Sequence, residues 1–89
     1  MRQRRHVIVS GLVQGVGMRF SCAREAERHG VEGWVRNLAD GTVEVVLEGE
    51  AEAVEALLGW LNQGPAGADV TGLDVRTEHP REESGFEIR

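Results

Sequence analysis

The sequence predicts an α+β sandwich in which two helices cover one face of an antiparallel sheet, and three observations predict it. Apolar residues alternate in step with a strand over His6 to Val13 and again over Val70 to Thr77. Val54, Leu57, Leu58 and Leu61 recur at i, i+3, i+4 and i+7, the spacing of one helical face. Glycines and a proline punctuate the chain so that its segments read strand, helix, strand, strand, helix, strand.

The first strand sets Val7, Val9 and Val13 on one side and Ile8, Ser10 and Leu12 on the other, as a strand with two unlike faces would. Gln14-Gly15-Val16-Gly17-Met18-Arg19 then breaks the alternation, and Phe20 to His29 follows with Phe20, Ala23 and Ala26 at roughly helical spacing. This reads as a tight loop feeding a helix that Gly30 ends. Gly33-Trp34-Val35-Arg36-Asn37 is a short strand, and Asp40-Gly41 turns it into the alternating Val43, Val45, Leu47, making a hairpin. The second helix runs from Glu50 to Asn62, with Glu48, Glu50 and Glu52 expected near its positive end. Gly64-Pro65 stops it, and the next strand, Val70 to Thr77, turns Leu73 and Val75 inward. His79 to Gly85 is a polar loop before a closing strand, Phe86 to Arg89. The order βαββαβ, with that short C-terminal strand added, is the split βαβ arrangement of ferredoxin-like folds.

At 89 residues the chain is long enough for one core and too short for two, so residues 1–89 are expected to form a single domain. No stretch has the continuous apolar length of a membrane span. The basic start, Met1-Arg2-Gln3-Arg4-Arg5, leads into strand-like alternation rather than a cleavage site, so export is not expected and the chain reads as cytoplasmic. Cys22 is the only cysteine, which excludes an internal disulfide; with no activating base beside it, it reads as a packed thiol. A net charge of −5 and 4% aromatic residues argue against nucleic acid, which needs cations for phosphates and rings for bases. The expected partner is a small molecule, met by a monomer.

In the split βαβ topology the first two strands run parallel with the third between them, so their C-terminal ends emerge at one edge of the sheet. Arg19 and Asn37 are therefore expected to meet, about 10 Å apart at ~4.8 Å per strand, a gap that a side chain, a phosphate and a water can bridge. A loop entering a helix N-terminus points unpaired N–H groups outward, and Arg19 adds a planar, permanently charged fork that matches phosphate oxygens. Each feature also has an ordinary reading: a glycine loop is often only a turn, and an Asn ahead of a hairpin often caps it through its own backbone.

Gly11-Leu12-Val13-Gln14-Gly15-Val16-Gly17-Met18-Arg19 resembles the first signature of the acylphosphatase family, G-x-V-Q-G-V-x-[FM]-R, at every fixed position. Gly33 to Asn37, continuing through Gly41, Val43 and Gly49, is similar to the second. The likeness extends through Trp60 and Gly64-Pro65 to Phe86-Glu87-Ile88-Arg89, nearly the whole chain. It implies that Arg19 binds the substrate phosphate, that Gly15, Val16, Gly17 and Met18 donate backbone N–H bonds to it, and that Asn37 orients the attacking water. The implied reaction is hydrolysis of acyl phosphates to a carboxylate and inorganic phosphate.

No Ser/His/Asp set, acidic dyad or metal cluster is legible, and an activated anhydride needs little general-acid help, so no cofactor and no metal are expected. His6, His29 and His79 are scattered and read as surface or packing residues; Glu25, Glu27, Glu82 and Glu83 read as solvated faces. The rival reading is a phosphate or carbamoyl-phosphate binding module without turnover, as the same domain type occurs inside larger carbamoyltransferases. That nothing follows Arg89 favours the free-standing enzyme.

Overall fold

Alternation becomes a five-stranded sheet in the computed structural model, which describes residues 1–89. The elements are β1 (Arg2–Leu12), α1 (Met18–His29), β2 (Glu32–Asn37), β3 (Val43–Glu50), α2 (Ala51–Leu61), β4 (Asp69–Glu78) and β5 (Phe86–Ile88). The strand order is β4-β1-β3-β2-β5, antiparallel throughout except that β5 runs parallel to β2. Two helices packed on this sheet make the ferredoxin-like α+β fold, and β3 separates β1 from β2 as the split βαβ order requires.

Registered partners point to the same face of a sheet, so Val7 with Val45, Val9 with Val43 and Val35 with Val45 line one side. All of them are fully buried under Met18, Cys22 and Ala26 of α1 and Val54, Leu57 and Leu61 of α2. Removing each such side chain from water contributes on the order of 1.5–3 kcal/mol, which makes this layer the source of cohesion. Cys22 belongs to it: burial first, then the nearby Glu25, pushes its thiol up to about 12, so the packed reading holds.

Several expectations need correction. The first helix begins at Met18, so Met18 and Arg19 belong to its first turn. Its buried stripe is Met18, Cys22 and Ala26, whereas Phe20, two residues along from Met18, projects into solvent. A step of two residues turns a helix by about 200°, which the looser apolar spacing concealed. Val75 shares a face with Val7 but lies on the edge strand β4, and it remains exposed.

The largest departure concerns the other face of the sheet. β1 starts at Arg2, and Glu48 belongs to β3 and is fully buried rather than lying at the helix end. Glu48 accepts hydrogen bonds from Arg2 Nε (2.9 Å), Arg4 Nη1 (3.1 Å), the Arg81 N–H (2.8 Å) and the Glu83 N–H (3.1 Å). Burial alone would raise its pKa, but these donors outweigh burial and hold the carboxyl at about 2. Glu83, expected in solvent, accepts from Arg4 at 2.9 Å. The segment joining β4 to β5 is thereby fastened over the sheet.

Candidate active site

β1 and β2 deliver their C-terminal ends to the same edge. Asn37 pairs with Val43, and Val43 pairs with Val9, so Asn37 sits level with Val9 near the C-terminal end of β1, which runs on to Leu12. The loop after β1 then turns back towards the hairpin, and Gln14 holds it there: its Nε2 donates to the carbonyls of Leu38 (2.8 Å) and Thr42 (2.9 Å). This clamp had no role in the sequence reading; only the match of Gln14 to a fixed motif position hinted at one.

Gly15 and Gly17 both have φ near +75°, the left-handed region that costs a side chain about 1 kcal/mol or more. Gly17 caps α1 in that conformation, and the first helical bond runs from the Ser21 N–H to the Gly17 carbonyl. The N–H groups of Met18, Arg19 and Phe20 thus precede any intrahelical acceptor. Those of Gly15, Val16 and Gly17 likewise donate to no protein acceptor. Six consecutive donors are left around one turn, at the positive end of the helix dipole.

A pocket of about 230 Å³ opens at this point, lined by Val13, Gly15, Gly17, Met18, Arg19, Phe20, Asn37 and Ile88. Small-molecule sites for larger ligands start near 300 Å³, so this one suits a compact substrate. Of the residues singled out from the sequence, Gly15, Gly17, Met18, Arg19 and Asn37 line it together; the Val16 side chain packs instead against the core. No acidic side chain lines it.

Arg19 is exposed and pairs with no acidic side chain; its one hydrogen bond within the protein runs from Nη1 to the main-chain oxygen of Arg89, the last residue, at a long 3.4 Å. Its charge is therefore available to an anion. The Asn37 carboxamide makes no hydrogen bond within the protein, and the hairpin is capped instead by Asp40, whose Oδ1 accepts from Thr42 N (3.0 Å) and Thr42 Oγ1 (2.6 Å). The turn-capping reading of Asn37 fails on that geometry, and its amide is left facing the pocket. Hydrogen bonding to Thr42 also lowers the Asp40 pKa, keeping that carboxylate charged and occupied.

A family model described as Acylphosphatase matches residues 5–88. The chain is 55% identical over 87 residues to a protein named Acylphosphatase from Thermococcus kodakarensis, covering 98% of this chain and 96% of that one. It is 61% identical over 74 residues to another from Methylococcus capsulatus, covering 83% and 80%. Among solved structures, an acylphosphatase from Coxiella burnetii superposes with a TM-score of 0.95 at 39% identity, covering 99% of this chain and 93% of that chain.

Proposed function

The chain belongs to the acylphosphatase family, and from that premise we propose how its pocket works: the turn from Gly15 to Arg19 holds the substrate phosphate and Asn37 positions the water. The protein is an enzyme, and it hydrolyses acyl phosphates. The observation that carries the division of labour is the run of six unpaired N–H groups beside a guanidinium that pairs with no acidic side chain and an unpaired carboxamide.

The phosphate oxygens take the place of missing acceptors for Gly15, Val16, Gly17 and Met18. Arg19 adds a charge-assisted fork that strengthens as negative charge builds on those oxygens. Asn37 accepts from the water and aims its oxygen at phosphorus, in line with the departing carboxylate. One P–O bond forms as the bond to the acyl oxygen breaks, the electron pair leaves with the carboxylate, and both water protons remain with the inorganic phosphate. Because that carboxylate is a weak base, neither a general acid nor a metal is required in this reading.

Residues 1–89 act here as one domain, a cytoplasmic monomer whose partners are the small-molecule substrate and water, with no cofactor and no nucleic acid. No helix is long and apolar enough to cross a membrane. The binding-module alternative is not favoured, because relatives named Acylphosphatase match over nearly their full length. Phosphate release from benzoyl phosphate, assayed with EDTA present, tests the reading. Turnover is expected in the wild type, falling by roughly a hundredfold or more in Arg19→Ala and in Asn37→Ala with the fold intact. Phosphate binding without turnover, or turnover that EDTA abolishes, contradicts it.

A further inference from the structure

The pocket has two unlike halves. Gly15, Gly17, Arg19 and Asn37 make one polar; Val13, Met18, Phe20 and Ile88 make the other apolar. Val13 and Met18 are almost entirely buried and can only form a floor. Phe20 and Ile88, by contrast, are 61% and 48% exposed, and they come from different elements, α1 and β5, that pack together beside the pocket.

Exposing a Phe forgoes on the order of 2 kcal/mol of burial, and a single exposed apolar residue is unremarkable on a small protein. Two that line the same polar pocket, from elements packed against each other, give it an apolar side next to the phosphate-holding turn. The Arg24 guanidinium lies 5.9 Å from the Phe20 ring centroid, at the outer edge of the cation–π range. No carboxylate lines the pocket to recognise a basic or hydroxyl-rich acyl group.

We propose that Phe20 and Ile88 form the acyl-group subsite and that it selects substrates whose acyl part is apolar, aromatic above all. This rests on the phosphate-holding role given above to the Gly15 to Arg19 turn. With the phosphate fixed there, an aromatic acyl group covers the Phe20 ring and the Ile88 side chain, which removes their apolar surface from bulk water and leaves the phosphorus open to the water at Asn37.

Steady-state rates with benzoyl phosphate and acetyl phosphate, compared across the wild type, Phe20→Ala, Ile88→Ala and Leu12→Ala, test the subsite. Leu12 is equally exposed but lies outside the pocket lining. Expected is a fall of about tenfold in kcat/KM for benzoyl phosphate in the Phe20 and Ile88 variants, under twofold for acetyl phosphate, and no change in the ratio for Leu12→Ala. Inhibition by inorganic phosphate is measured alongside and stays at its wild-type level if the polar half is intact. Where Phe20→Ala disturbs the fold, Phe20→Leu replaces it, with a smaller loss confined to the aromatic substrate. Equal losses on both substrates, or none on either, overturn the subsite. A wild type that hydrolyses neither substrate overturns the catalytic reading instead.

Discussion

Gln14 joins the two halves of the pocket edge through one amide, so its substitution tests the proposed positioning of the loop against Asn37. The Leu38 and Thr42 carbonyls each keep a backbone donor, Gly41 N and Leu38 N respectively, so Gln14→Ala leaves no buried acceptor empty. A stability loss of about 1–2 kcal/mol is expected, with kcat/KM down about tenfold because the loop is no longer registered against Asn37. Gln14→Glu is expected to be worse on both counts, since a carboxylate faces two carbonyl oxygens and cannot donate. Urea denaturation and initial rates check this, and a Glu variant equal to wild type contradicts it. Arg19 and Asn37 were legible because the two motifs and the strand order bring them to one edge. Gln14 was not, since an amide that donates to two main-chain carbonyls 24 and 28 positions away has no local sequence pattern. Phe20 was misplaced for a related reason: apolar character marked it for the core, whereas the true stripe runs through Met18 and the single thiol.

The segment between β4 and β5 is polar throughout and reads as a loose loop, yet Glu48 anchors it by two N–H groups while binding Arg2 and Arg4. Through that anchor, β5 and the Ile88 wall of the pocket are tied to β3. Glu48→Gln puts an amide donor among donors and leaves the nearly buried Arg4 with only Glu78 and Glu83. Denaturant unfolding is expected to show a loss of about 3–5 kcal/mol, the cost of breaking a buried pair from one side. Glu50→Gln, which removes an exposed contact with the N-terminal amine, is expected to change stability by less than about 1 kcal/mol. Equal effects of the two substitutions contradict the anchoring role. The second helix and the hairpin were legible because their apolar periods match what they bury, whereas the first helix was placed by its flanking glycines and its expected stripe shares only Ala26 with the buried one. The start of β1 was not, as four polar residues alternate no hydrophobicity; what places them in a strand is a set of carboxylates from β2, β3, β4 and the loop.

Across the whole molecule these carboxylates set a direction for acid stability. Glu48 is held at about 2; Glu32 is lowered chiefly by its bond from Arg2, and Glu78 by that from Arg4. Glu44 is lowered despite burial, by His6 and Arg36. Each binds protons more weakly in the folded chain than in the unfolded one, so the stability they contribute is complete above about pH 4.5 and is lost as pH falls towards 2. Glu48 alone accounts for at most about 3 kcal/mol of it, at 1.36 kcal/mol per pH unit. Melting temperatures recorded down that range are expected to fall more steeply for the wild type than for Glu48→Gln; parallel curves contradict the account. The fold class was legible because element order and hydrophobic period agree, while the charged layer on the far face of the sheet depends on contacts between distant strands. The most direct probe of the shared anion pocket is competitive inhibition by inorganic phosphate, measured together with kcat for Arg19→Ala and Asn37→Ala. Arg19→Ala is expected to weaken inhibition by about tenfold or more and to lower kcat, whereas Asn37→Ala keeps inhibition near wild type while kcat falls roughly a hundredfold. Wild-type kcat in either variant, or phosphate binding lost equally in both, would contradict a site in which one residue holds the anion and the other places the water.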